Sequence, residues 1–203
     1  EVDFLSLSAH KLHAPKGIGL LYVRKGVSFQ PYVMGGGQEQ GRRGGTENVA
    51  NIVAFGKAAE IAMASLEDNL DRIRALRDRM EGGIMDAIDG VTRNGAKEPR
   101  LANTSNLSFA NCEAEAILLL LDREGICASS GSACTTGSLA PSHVLTAMGL
   151  TPELAMSAVR LSLSKYSTDG EVDHLLAKMP EIIAKLRGTP EKTPKEEPQQ
   201  IGQ

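Results

Sequence analysis

Lys11 closes the segment Ser6-Leu7-Ser8-Ala9-His10-Lys11, between the apolar runs Val2–Leu7 and Gly17–Val23. A lysine at a strand end, flanked by hydroxyls and a histidine, suits Schiff-base chemistry with a carbonyl compound. That reaction needs a neutral amine, which desolvation or neighbouring cations favour. It also needs small neighbours and hydrogen-bond donors, so that a phosphorylated cofactor can lie against the backbone. Ser8 and His10 are the candidate donors. A surface lysine beside a loop histidine is the alternative reading of the same residues.

Further candidates lie along the chain. Cys134 sits in Ser129-Ser130-Gly131-Ser132-Ala133-Cys134-Thr135-Thr136-Gly137-Ser138, with no large side chain to shield it. An exposed thiol on a glycine-rich loop can reach a substrate or carry a group elsewhere. The stretch Gly35-Gly36-Gly37-Gln38-Glu39-Gln40-Gly41-Arg42-Arg43-Gly44-Gly45-Thr46 precedes a predicted helix. It lacks the Lys-Ser or Lys-Thr of a P-loop and the βαβ setting of a dinucleotide fingerprint. What it offers is free backbone amides, Arg42, Arg43 and Thr46 at a helix start, an anion site in general terms; a plain N-cap at Thr46 and a solvated turn explain the same residues. Arg160 stands between apolar neighbours on a predicted strand. It suits either a two-pronged bond to a substrate carboxylate or an ion pair with an Asp or Glu elsewhere in the chain.

Composition narrows the class. The 203 residues are 41% hydrophobic and 23% charged, the profile of an ordinary globular protein. A net charge of −3 gives no basic field for nucleic acid or an anionic membrane. No apolar run approaches the roughly 20 residues of a spanning helix. With no tryptophan and only seven Phe and Tyr residues, ring stacking on a flat cofactor would fall to one of those or to a histidine. The three cysteines include no CxxC pair, which argues against a disulfide framework and a structural zinc site and suits a reducing, cytoplasmic setting. Cys127, in Gly-Ile-Cys-Ala, reads as a core thiol, and Cys112 as an incidental turn residue.

The elements that must position these groups are legible in outline. Residues 2–9 and 17–24 read as strands. A helical stretch runs from Thr46 to about Asp89 with a break near Ser65, and Leu66, Leu70, Ile73, Leu76 and Met80 mark its inner face in the second half. Strands are expected at 105–109, 126–129 and 158–164, the last with Val159, Leu161 and Leu163 on one face and Arg160, Ser162 and Ser164 on the other. Helices are expected at 113–124, 142–148 and 151–157, the last opened by Thr151-Pro152. The final helix opens with Thr168-x-x-Glu171, a capping box, and Pro180 is expected to kink it. Beyond Gly188 a proline- and charge-rich tail is expected to be disordered. The abrupt strand at residue 1 suggests a piece of a longer chain. The expected organisation is an edge of a larger α/β domain over 1–65, a small α+β domain over 66–188 that carries the cysteine loop, and the tail 189–203.

Taken in order, Ser-x-Ser-Ala-His-Lys, His-Ala-Pro-Lys-Gly-Ile-Gly-Leu-Leu-Tyr-Val-Arg, Gly-Gly-Gly-Gln-Glu-Gln-Gly-Arg-Arg-Gly-Gly-Thr-Glu-Asn, Ala-Ser-Ser-Gly-Ser-Ala-Cys-Thr-Thr-Gly-Ser and Val-Arg-Leu-Ser-Leu-Ser closely resemble the pyridoxal-phosphate-dependent cysteine desulfurases, nitrogen-fixation branch. The resemblance covers residues 1 to about 187. It implies an aspartate-aminotransferase-like α/β fold (pyridoxal-phosphate fold type I), here part of the large domain plus the small domain. It implies pyridoxal 5'-phosphate as cofactor, carried by Lys11, with Ser8 and His10 on its phosphate. Thr46 would reach the phosphate in the partner subunit of a homodimer. Arg160 would bind the carboxylate of L-cysteine, and Cys134 would take the sulfur as a persulfide and release alanine. An iron–sulfur scaffold protein would receive that sulfur, and a nascent cluster would meet Cys134 only as cargo; no resident metal, nucleic acid or membrane is implied.

The family's remaining length supplies a histidine stacked on the cofactor ring and an aspartate on its pyridine nitrogen; His13, His143 and His174 do not match that stacking position. These residues alone are therefore expected to bind the cofactor poorly and not to turn over. Ala140 stands where the family often has an acid. Two other readings remain open: a selenocysteine lyase-like enzyme of the same fold, and a non-catalytic module that keeps only a dimer or scaffold surface.

Overall fold

The computed structural model describes residues 2–130 and 141–188. Cys134 and the tail after Gly188 lie outside the described residues. The chain forms two compact units, Glu1–Glu67 and Asp68–Gln203.

In the first unit, β1 (Phe4–Ser8) pairs antiparallel with β2 (Gly19–Val23), with Leu5 opposite Tyr22 and Ser8 opposite Gly19. Between them Ala9–Leu12 forms a single 3-10 turn. The Ala9 side chain is wholly buried, and its N–H donates to Ile18 O at 3.1 Å. His13 ends the turn in the left-handed region, φ 64°. Gly19 is required by close approach: a Cβ there would lie 2.8 Å from the backbone oxygen of Leu7. α1 (Val49–Ala64) follows the glycine loop and packs against the 3-10 turn. Its N-cap is Asn48, whose side chain accepts from Asn51 N–H at 3.4 Å. Thr46, expected to sit at the helix start, therefore lies in the loop before it, because Asn48 is the residue that satisfies a first-turn amide.

The second unit is a four-stranded antiparallel sheet in the order β3-β4-β6-β5, built from β3 (Val91–Arg93), β4 (Thr104–Phe109), β6 (Ala158–Ser162) and β5 (Ser129–Ser130). One face carries the core. Leu107, Phe109, Val159 and Leu161 meet Leu76, Met80 and Ile84 of α2 (Leu66–Ala87), Ile117 and Leu121 of α3 (Ala114–Arg123), and Val172, Leu175, Met179 and Ile183 of α6 (Asp169–Leu186). On the other face α4 (His143–Ala147) and α5 (Pro152–Met156) bring Leu145 and Ala155 to Ala158. Strand alternation explains the split, since Ala158 and Val159 point to opposite faces.

The helix break near Ser65 is observed, and α1 and α2 flank it. The inner face of α2 is Ile73, Leu76, Met80 and Ile84, whereas Leu66 and Leu70 are exposed. Gly82-Gly83 lie inside α2; a Cβ on Gly83 would come within 2.7 Å of a Leu176 methyl, so the glycine admits the side chain of α6. The capping box of α6 forms in both directions, with Glu171 N–H donating to Thr168 Oγ1 and Thr168 N–H to Glu171 Oε2. α6 runs through Pro180 as one helix. The expected strand 126–129 is shorter and later, at Ser129–Ser130. Cys127 is exposed and is not a core thiol. Ile126 and Ala128 pack on the core, and the residue between them faces out. Cys112 is half-buried at the margin of the same core, after Asn111 in the left-handed region.

Candidate active site

Ser8, His10 and Lys11 come together because β1 ends where the 3-10 turn begins. All three are exposed, while Ala9 between them is buried and anchors the turn from below. The turn is further tied by Ala14 N–H to Ala9 O at 3.2 Å. A hydroxyl, an imidazole and a primary amine thus share one short, backbone-braced segment. The described residues leave Lys11 open to solvent, so they do not themselves supply the desolvation that its chemistry favours.

The glycine loop closes on itself. Gly44 is buried and its N–H donates to Val33 O at 2.8 Å; a Cβ on Gly44 would lie 2.7 Å from Met34 O. Gly45 N–H donates to Gln38 Oε1 at 3.3 Å. The Arg43 head bonds the neighbouring Gly44 O at 2.8 Å, and Arg42 is exposed. Thr46, also exposed, follows this tight crossing.

Arg160 lies in the second unit, on the sheet face away from the main core. Its Cα partners are Asn106 of β4 on one side and Ser129 of β5 on the other. Nη2 donates to Ser129 Oγ at 3.2 Å, and Nε is shut off from solvent with no hydrogen-bond partner. No carboxylate among the described residues lies in ion-pair distance of this guanidinium. Elsewhere in the unit Arg77 pairs with Asp78 and Glu98, Arg79 with Asp169 and Asp173, and Arg93 and Arg100 with Glu81, whereas Arg72 and Arg187 bond backbone carbonyls. Of the two readings that the sequence left open for Arg160, the internal ion pair finds no partner among the described residues. Ser129 and Asn106 were not picked out from the sequence as its neighbours; only strand pairing places them there.

Residues 1–175 match the family model of class-V aminotransferases, and the chain belongs to that family. It is similar to cysteine desulfurase 2 of Trichormus variabilis, with 55% identity over 186 residues that make up 92% of this chain and 46% of the relative. A cysteine desulfurase of Gluconacetobacter diazotrophicus is 56% identical over 92% of this chain and 47% of its own length. Among solved structures, a NifS-like protein superposes with a TM-score of 0.81 at 40% identity, covering 91% of this chain and 47% of that one. The chain thus spans about half the length of the curated relatives it matches. The fold is that of the pyridoxal-phosphate fold type I enzymes, as the motifs implied.

The family depends on pyridoxal phosphate. The donor set at the turn fits that group. Lys11 is a primary amine that can condense with an aldehyde, and Ser8 and His10 can donate to phosphate oxygens.

Proposed function

We propose that this chain carries the lysine, the substrate arginine and the sulfur-accepting cysteine of a cysteine desulfurase that converts L-cysteine to L-alanine. The observation that carries the reading is the turn Ser8–Lys11, which gathers hydroxyl, imidazole and amine on one buried alanine anchor in a chain of this family. Arg160, which has no carboxylate partner among the described residues, supports it.

Pyridoxal phosphate, when bound, supplies an electron sink for the substrate α-carbon. Lys11 would hold it covalently and afterwards carry a proton to and from that carbon. Ser8 and His10 would hold its phosphate. Thr46, exposed after the glycine crossing, would reach the phosphate in a partner subunit, making the enzyme a homodimer. Arg160 would orient L-cysteine by its carboxylate. Cys134 would accept the substrate sulfur on its own Sγ, becoming a persulfide and leaving alanine as the carbon product. A scaffold protein that builds iron–sulfur clusters is the proposed acceptor, in a cytoplasmic, reducing setting. The nitrogen-fixation branch is part of the same proposal.

Incubation of a protein of full family length carrying this sequence with pyridoxal phosphate, followed by reduction with borohydride, tests the reading. Peptide mapping is expected to find the label on Lys11 in preference to Lys16 and Lys25, and Lys11→Ala to lose it. Labelling spread evenly over the surface lysines would overturn it.

A further inference from the structure

We propose that Ser129 is a positioning residue for Arg160: its hydroxyl fixes the guanidinium without cancelling the charge that a substrate carboxylate needs. The inference rests on the carboxylate role proposed above for Arg160. A free arginine head carries about 2 kcal/mol of rotamer entropy, which a binding event must overcome unless the head is already held. Several arginines of this unit are held by carboxylates, while Arg72 and Arg187 bond backbone carbonyls. Glu81 holds Arg93 and Arg100, and Asp78 and Glu98 hold Arg77. Each of those arginines is fixed and also neutralised. An arginine meant for an incoming anion must be fixed by something uncharged.

Ser129 meets that condition. It lies directly across the β6–β5 pair from Arg160, on the same face of the sheet, and takes one N–H of Nη2 at 3.2 Å. On the other side, Asn106 does not compete as a strong acceptor. Its Oδ1 already accepts from Asn94 Nδ2 at 2.6 Å, and the same Asn94 amide donates to Ser108 Oγ at 2.9 Å. The row Asn94, Asn106, Arg160, Ser129 is therefore polar throughout but carries a single charge. Nε, dry and unpartnered, leaves the guanidinium with a donor still to be satisfied, and an unmet buried donor favours any acceptor that reaches it.

The test uses the full 203-residue chain with nitrogen-15 label. The Nε–H resonance of Arg160 is assigned by its loss in Arg160→Lys, and two quantities are read: the exchange rate of that proton with water, and its response to L-alanine, an unreactive amino-acid carboxylate. Ser129→Ala is expected to speed the exchange and to weaken the alanine response about threefold to tenfold, the loss of one hydrogen bond. Ser129→Thr keeps the hydroxyl and is expected to restore both. Ser129→Asp separates positioning from mere structure: it should hold Arg160 at least as tightly, yet lose the alanine response by more than about tenfold, because the charge is cancelled within the protein. Backbone amide spectra of β4 and β6 verify that each variant keeps the sheet. An alanine response that needs Arg160 but ignores Ser129→Ala and Ser129→Asp overturns the positioning role and leaves the carboxylate role standing. No alanine response at Arg160 in the unmodified chain removes the carboxylate role, and the proposal with it.

Discussion

Both Nη atoms of Arg100 donate to the carboxylate of Glu81, at 2.7 and 2.8 Å. Arg93 Nη1 adds a third bond at 3.0 Å and the buried Ser105 hydroxyl a fourth at 2.6 Å. This cluster ties α2 to β3, to β4 and to the segment between them. Burial by itself pushes the Glu81 carboxyl up. The hydrogen bonds from Arg100, Ser105 and Arg93, with the charge of Arg100, outweigh it and bring the group down from 4.5 to about 2.

The stability that follows from this depression is present above about pH 4.5. It is lost as pH falls from there toward 2, because the unfolded chain takes up the proton first. Urea unfolding followed at pH 7, 4, 3 and 2.5 should show the unmodified chain losing its advantage over Glu81→Gln across that window. At pH 7 the variant is expected to be less stable by about 2 kcal/mol, since charged hydrogen bonds are replaced by neutral ones, Arg93 loses the carboxylate it pairs with and Arg100 keeps only the longer pair to Asp78 at 3.6 Å. A constant difference at every pH would show that the ionised carboxylate is not the source.

Gly19→Ala is expected to disrupt the lysine turn from beneath. The new Cβ would meet Leu7 O at 2.8 Å, a backbone atom that cannot swing aside. A local cost of about 1–3 kcal/mol follows from such overpacking. Hydrogen exchange at the Ala9 amide, which bonds to Ile18 O, reads it directly and should accelerate by about tenfold or more. Unchanged exchange at Ala9 would mean that the strand pair tolerates the methyl group.

Thr168→Ala removes one half of the α6 capping box and orphans the Glu171 amide. A loss of about 1 kcal/mol is expected. Because α6 supplies Val172, Leu175, Met179 and Ile183 to the core, the loss should appear in the global unfolding of the second unit, measured by the urea midpoint, and not only as fraying of the helix end.

In a protein of full family length carrying this sequence, Arg160→Gln should raise KM for L-cysteine on the order of tenfold to a hundredfold, the loss of a charge-assisted contact. Cys134→Ser in the same protein should abolish sulfide release with L-cysteine as substrate. A Cys134→Ser protein that still released sulfide at the original rate would rule out the thiol as sulfur acceptor.

Local chemistry made several elements readable from residues alone. The Thr168–Glu171 box, Thr151-Pro152 at the start of α5 and the break at Ser65 all depend on neighbours within a few positions. The inner face of α2 was readable only where the core covers it. Leu66 and Leu70 keep the helical spacing, but both are exposed among the described residues. The three-residue β3 went unnoticed because so short a strand has no periodicity; its pairing with β4, Val91 opposite Phe109, is what makes it a strand. Cys127 was misplaced because an apolar run does not say which of its residues faces inward, and the packing of Ile126 and Ala128 decides that.

The reactive groups themselves were written in the sequence: Lys11 with Ser8 and His10, the glycine loop before Thr46, Cys134 and Arg160, in an order that identified the family. Each is a matter of residue type and short spacing, which the chain carries without folding. Tertiary structure decided how those groups are held. It moved the α1 cap from Thr46 to Asn48, seated the lysine turn on buried Ala9, and gave Arg160 a serine in place of an acid. Ser129 and Arg160 stand 31 positions apart, and only the register of β5 against β6 brings their side chains to one face of the sheet. Register of that kind is settled by which apolar faces can be buried together, a property of the whole core.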